Sequence, residues 1–539
     1  MRPPWGYGGS VTSLLPGGAE PYASRSVLTF GVISGPLPKL GVIVVAVLAA
    51  IVVSARVDRV RALAMLGALV LAPVLLLAEI WNSPQLSIIH RHPAEAAVGA
   101  LFALALVVAA AVALARWRQW TGPLALAALP FRLPISVSGS TYNLLLPLYF
   151  VVAASALAWL VPVLLHDPGD GARRRPPHAF ERLLAAYLVL YGVQAWYSAS
   201  FGTTNGFGSA LDNMTFFYVP FALMAALLRD LDWCEALFRR CVIIVAALAL
   251  IFAAIGFWED ATGTVLLNSK LIATDQLHLY FSVNSVFFDP DIFGRFLALV
   301  MIVGVAVMIY SRRPREVLSS AVVLAILWGC LVLTLSRSSI AALLLGMAVL
   351  AALRWHATKT VVGVIVALIV VGGIIAAITP KTFGLNQGLN GASSGRANLV
   401  SGGLSMFGDR PVWGYGSGSF EAEYSAQNGG CGEVCASHTI AVTIAAEQGL
   451  IGLIPYAALI LTALMTLFRG ARGDPVRATL AAVFLALVLH TELYADFLED
   501  PTTWALLGIG GAMAHRWADT AELTRRQERQ ARRAGTARA

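Results

Sequence analysis

The chain has 539 residues, 58% of them hydrophobic and only 13% charged, with a formal net charge of +8 and a mean hydropathy of +0.74. So little charge cannot cover the surface of a water-soluble protein of this length, which excludes a soluble globular enzyme. The basic residues sit in short turns between apolar runs, so the positive balance is no sign of a nucleic-acid partner.

Residues 1–38 form a polar segment punctuated by Gly, Pro and Ser, without the pattern of a cleavable signal peptide. Uncharged runs then recur, each close to the length of about 17–25 residues that crosses a bilayer core. Spans are predicted near 40–55, 62–80 and 95–115, an N-terminal group within 39–120. The next run, "TGPLALAALPFRLPISV" (121–137), is short and carries Arg132 and three prolines, the marks of a re-entrant segment. Spans near 142–165, 182–199, 209–228, 241–257, 291–310, 317–335, 338–353 and 360–378 complete a transmembrane core over 121–378. A polar loop fills 379–439, spans near 440–467, 477–498 and 502–517 follow, and a basic tail occupies 518–539. The fold class expected is therefore all-α: a polytopic integral membrane protein of about 12–15 transmembrane helices, with a long extracytoplasmic loop carrying short helices.

Charge orients these spans. The turns at 54–61, 115–120, 171–182, 238–240, 310–316, 353–359 and 468–477 are basic, as is the tail, and the positive-inside bias places them in the cytoplasm. Two substantial segments, 258–290 and 379–439, are left outside. The second is too long for a simple connector, and its aromatic residues Trp413, Tyr415, Phe420 and Tyr424 argue against disorder.

Basic residues on the outer side run against that trend. Arg337 lies in a Ser-Arg-Ser-Ser turn between two apolar runs, Arg396 in "SSGRANLVSGGLSMF" and Arg410 in "GDRPVWGYGSGSF". A single such arginine often snorkels to headgroups, but two or three beside a histidine read as a site for an anionic group, since the guanidinium fork suits phosphate oxygens. His438 stands where the long loop becomes a span, and a neutral imidazole there can accept a proton. The bland alternative is a helix-entry residue bonded to the loop backbone. Glu447 lies nine residues further on, about 13 Å deeper along a helix and on its opposite face, so it reads as a structural hub bonded to neighbouring helices. Gly449 and Gly452 beside it would let another helix approach.

The order of these marks resembles the O-antigen ligase/polymerase family of membrane glycosyltransferases. The resemblance rests on "LTLSRSSIAALLLG", on "GRANLVSGGLSMFGDRPVWGYGSGSF" with its Pro-x-x-Gly-x-Gly-x-Gly-x-Phe turn, and on "SHTIAVTIAAEQGLIGLIPY". It extends over roughly 130–515 through "VNSVFFDPDIFGRFLAL" and "LHTELYADFLEDPTTWALLG". Two departures are Thr439, where many members carry Asn after the histidine, and the "CGEVC" insertion before it. The resemblance implies transfer of a glycan from a polyprenyl-diphosphate carrier to an acceptor hydroxyl at the outer face of the plasma (inner) membrane. The acceptor would be a glycan, a glycolipid or a protein. By the same resemblance Arg337 and Arg396 would hold the diphosphate and His438 would take the acceptor proton, with no cofactor and no metal. Arg410 and Tyr415 would join in binding substrate.

Other features admit two readings. Asp289 and Asp291 in "FFDPDIF" read first as an N-cap followed by a helix start at Pro290, with a divalent-cation site as the alternative. Glu492, Asp496, Glu499 and Asp500 either bind acceptor sugar hydroxyls or cap and solvate the end of their span. Cys431 and Cys435 share the outer loop, where a disulfide is permitted; C-x3-C-x2-H ending at His438 is the zinc alternative, without an obvious fourth ligand. A transporter or flippase of lipid-linked glycan is the competing function, though it should need polar residues along a path to the cytoplasm and the spans show few. A structural scaffold would leave the arginine–histidine set unexplained.

Overall fold

A computed structural model of the chain describes residues 35–81, 90–137, 140–165, 176–201, 204–266, 281–360, 362–363, 366, 396–430, 437, 439–494 and 496–517. The protein is an all-α polytopic membrane protein, and among the described residues eleven helices are long and apolar enough to cross a membrane. In chain order these are α1 (Pro36–Ser54), α2 (Asp58–Ile80), α3 (Pro93–Arg116), α5 (Leu146–Leu165), α7 (Gly206–Arg229), α8 (Glu235–Thr262), α9 (Pro290–Tyr310), α10 (Pro314–Leu333), α11 (Arg337–Arg354), α14 (Ile440–Phe468) and α15 (Pro475–Leu493). Between them lie the shorter α4 (Thr121–Ala128) and α6 (Ala179–Gln194), then α12 (Arg396–Asp409) and α13 (Phe420–Asn428) of the long loop, and α16 (501–517) closes the described chain.

Local chemistry sets where several of these helices begin. Asp289 caps α9, its Oδ1 accepting from the N–H groups of Asp291 (2.8 Å) and Ile292 (3.0 Å), with Pro290 supplying the helical φ of the first position. Asp474 caps α15 in the same way ahead of Pro475. The segment 121–137 does not cross as a helix: α4 is eight residues long, and a hairpin of β1 (Leu133–Val137) and β2 (Ser140–Leu144) follows it. The hairpin also takes the first residues of the span expected from 142, so α5 starts only at Leu146. Most of the expected 360–378 span lies outside the described residues.

The bundle centre is built from α1, α6, α7, α14, α15 and α16, where Tyr187, Phe221, Phe484, Phe497 and Trp504 are buried. Buried ion pairs pin the helices to one another at the basic-turn end. Arg61 meets Asp230 at 2.5 Å and lies over the Trp159 ring, while Arg229 meets Glu181 at 3.0 Å. Charges so buried are tolerable only in pairs, which makes this cluster a fixed joint between α2, α6 and α7. At the other end of the bundle Arg295 of α9 binds Asp500, just before α16, at 2.6 Å.

Candidate active site

Just past the end of α10, Leu335 takes left-handed geometry (φ 55°), and α11 begins two residues later at Arg337. Ser336 makes that tight restart possible, because its side chain accepts from the Ser339 N–H (3.3 Å) as an N-cap. The same hydroxyl donates to Asp291 Oδ1 at 2.5 Å, and Ser338 donates to that oxygen at 3.2 Å. His490 of α15 closes the group: its Nε2 lies 3.2 Å from Ser338 Oγ and 3.1 Å from Ser339 Oγ. The turn that presents Arg337 is thus tied to the first turn of α9 and the last turn of α15.

Arg396 reaches the same carboxylate from the loop. It opens α12, its Nη2 lies 4.0 Å from Asp291 Oδ2, and its Nη1 donates to the Leu493 carbonyl at 3.3 Å. The N-termini of α9, α11 and α12 therefore converge around Asp291, each bringing a positive dipole end. Arg396 stands at the edge of this arrangement, and Arg337 is exposed on the turn beside it. Asp289, next to it, spends Oδ1 on the α9 cap and Oδ2 on the Tyr494 hydroxyl (2.5 Å), the capping arrangement rather than an open ligand pair. Burial pushes the Asp289 carboxyl above the ordinary carboxylate range, and the Tyr494 hydrogen bond draws it back down.

His438, Cys431 and Cys435 lie outside the described residues. Their described neighbours approach the same region. Ser437 is buried and lies 2.7 Å from Thr443 Oγ1, and Glu492 accepts from the Ala441 N–H, next door to the Leu493 carbonyl that holds Arg396. The start of α14, the end of α15 and the start of α12 are therefore neighbours.

Arg410 and Tyr415 lie elsewhere. Arg410 is at the far end of α12, about 20 Å along the helix from Arg396 at 1.5 Å per residue, and its guanidinium stacks 4.3 Å from the centre of the Tyr415 ring. Tyr415 itself is buried, with Gln427 Nε2 at 3.3 Å from its hydroxyl. The acidic group at the end of α15 and beyond it is divided. Glu492 bonds α14, and Asp496, in left-handed geometry (φ 69°), bonds the Glu499 carboxyl, which burial first and Asp496 second push well above its usual range. Asp500 pairs with Arg295 and accepts from the Thr502 N–H, the start of α16.

Glu447 is bonded to the long loop, at its glycine-rich turn and at Phe420, which opens α13. α14 is broken at Gly449 (φ 62°, ψ −160°), a conformation open essentially to glycine alone. The break removes the helical bonds from 450 to 446 and from 451 to 447, and the glycine-rich turn replaces all four lost partners. Leu450 and Ile451 donate to the Pro411 (2.8 Å) and Val412 (3.2 Å) carbonyls, while Tyr415 and Gly416 donate to the Ala446 (3.2 Å) and Glu447 (2.7 Å) carbonyls. The Glu447 carboxylate then accepts from Gly418 N–H at 2.8 Å and Phe420 N–H at 3.0 Å. A side chain at Gly414 would strike the Glu447 backbone, and one at Gly449 the Val412 carbonyl, so it is the turn that approaches Gly449 closely. Gly452 leaves room for the side chain of Gln448.

Asp291, Ser336, Ser338, Ser339, His490 and Tyr494 were not legible as a group in the sequence; of their signals, only the Asp-x-Asp spacing and the serines around Arg337 stand out. Residues 322–457 match the family model for O-antigen ligase, a stretch that contains Arg337, Arg396, Arg410, His438 and Glu447. No curated protein matches the chain. The stretch so matched is about a quarter of the chain, and within it the chain is similar to the O-antigen ligase family.

Proposed function

We propose that this protein transfers a glycan from a polyprenyl-diphosphate carrier to an acceptor hydroxyl at the outer face of the plasma membrane, without a metal ion. The observation that carries this reading is that one carboxylate, Asp291, is bonded by the serines on either side of Arg337 and approached by Arg396, both arginines lying within the region matched to the O-antigen ligase family. In the reaction, the acceptor oxygen loses its proton to His438 and bonds the anomeric carbon of the carrier-linked sugar. The bond from that carbon to the diphosphate oxygen breaks, and the polyprenyl diphosphate leaves with the electron pair. Arg337 and Arg396 hold the diphosphate and neutralise the charge that grows on it, the kind of preorganised stabilisation that commonly supplies the largest share of a rate enhancement. Asp291 keeps Arg396 and the Arg337 turn in register while the site is empty.

Ligase and polymerase share this donor chemistry and differ in what presents the hydroxyl. The distribution of carrier-linked glycan in cells lacking the protein separates them, since long chains accumulate without a ligase and single repeat units without a polymerase. Arg337→Lys keeps the charge and loses the fork, and it is expected to reproduce the deletion pattern with a transfer rate lowered about a hundredfold. A wild-type distribution in that variant contradicts diphosphate capture by Arg337.

A further inference from the structure

The turn that repairs the break in α14 has a clamped backbone and open side chains. Beyond the bonds from Leu450 and Ile451, the Trp413 carbonyl accepts from Gln194 Nε2 at 3.2 Å and from the Tyr197 hydroxyl at 3.1 Å. Yet Val412 is 49% exposed and Trp413 57% exposed. Large apolar side chains held out on a rigid backbone mark a contact with something outside the protein.

The surface beside them identifies that contact. Leu450, Ile454, Leu461 and Met465 are all exposed, and their spacing of four, seven and four residues puts them on one face of α14. In a helix that crosses a membrane, such a face meets lipid. Val412, bonded to Ile451, continues this stripe upward from Leu450. Helix length sets the level: α14 has 29 residues, about 43 Å at 1.5 Å per residue, against a hydrocarbon core of about 30 Å. Counting about twenty residues back from Phe468, which precedes the basic Arg469, places the edge of the core at Gly449. Val412 and Trp413 are bonded at that level, where indole rings are enriched in membrane proteins.

We infer that Val412 and Trp413 insert into the lipid leaflet on the loop's side of the membrane, with the indole near the lipid carbonyl groups. The glycine-rich turn is then a membrane anchor, fixing the depth of the loop helices that flank it. A sugar ring stacked on Trp413 would leave Val412 and Leu450 facing water; an acyl chain covers all three. This inference rests on the membrane fold and stands whatever the chemistry at Arg337.

Thirteen tryptophans make subtraction necessary. The emission lost on Trp413→Phe is measured with the full chain in nanodiscs of dioleoyl phosphatidylcholine and of its dibrominated form. The expected result is a blue-shifted difference emission, quenched at least twofold by the brominated lipid and little by acrylamide. A red-shifted emission quenched by acrylamide and untouched by bromine overturns the proposal, as does protection by soluble oligosaccharide alone. Should the Phe variant fail to fold, Trp413→Tyr gives the same difference measurement.

Discussion

A carboxylate inside a membrane-spanning helix needs a partner for each oxygen, and Glu447 has one for each in the Gly418 and Phe420 N–H groups. Its position in the sequence announces an anomaly but not the solution, because the partners are backbone groups of a loop nearly thirty residues upstream. Glu447→Gln tests the arrangement: the amide offers one acceptor and turns a donor toward the second N–H. A loss of about 1–3 kcal/mol is expected, read as a lower melting temperature in detergent. Melting identical to wild type would mean that the carboxylate does not hold the turn. Arg337 and Arg396 stand out in the sequence because basic residues on the loop side oppose the charge trend. Their support was not legible, since Ser338, Ser339 and His490 carry no pattern of their own within apolar runs and meet only through packing. Arg410 satisfied the same charge criterion as Arg396, and only the direction and length of α12 separate them.

At the scale of elements, hydropathy located the eleven helices long and apolar enough to cross a membrane among the described residues, and its misses have a common cause. A window average records greasiness, not backbone geometry. It cannot tell that a hairpin takes the first residues of the span expected from 142, nor a straight α14 from one broken at Gly449. The break and the Pro-x-x-Gly-x-Gly-x-Gly-x-Phe turn are two halves of one structure: the first frees four backbone groups in the helix and the second satisfies them. Gly449→Ala should therefore destabilise the protein by at least about 1–3 kcal/mol for the backbone conformation alone, with the added clash against Val412 on top. Lowered melting together with faster proteolysis in the 411–419 turn is the expected outcome. A variant as stable and resistant as wild type would show that α14 can run unbroken.

Across the whole molecule, polar investment is divided between the two membrane sides. The basic-turn side holds Arg61, Asp230, Arg229 and Glu181 in a closed joint with little left to bind. The loop side gathers three helix N-termini and leaves guanidinium groups on the rim, with Arg337 exposed and Arg396 partly so. That asymmetry supports the proposal that transfer chemistry takes place beside the loop. The most direct test uses purified protein in nanodiscs with a polyprenyl-diphosphate-linked glycan and an acceptor, in the presence of a chelator. Wild type should transfer the glycan, whereas His438→Ala, inserted at equal abundance and with unchanged melting, should be slower by about a hundredfold or more. Transfer by His438→Ala at the wild-type rate would contradict the proposed proton acceptor and, with it, the assignment of the chemistry to this site.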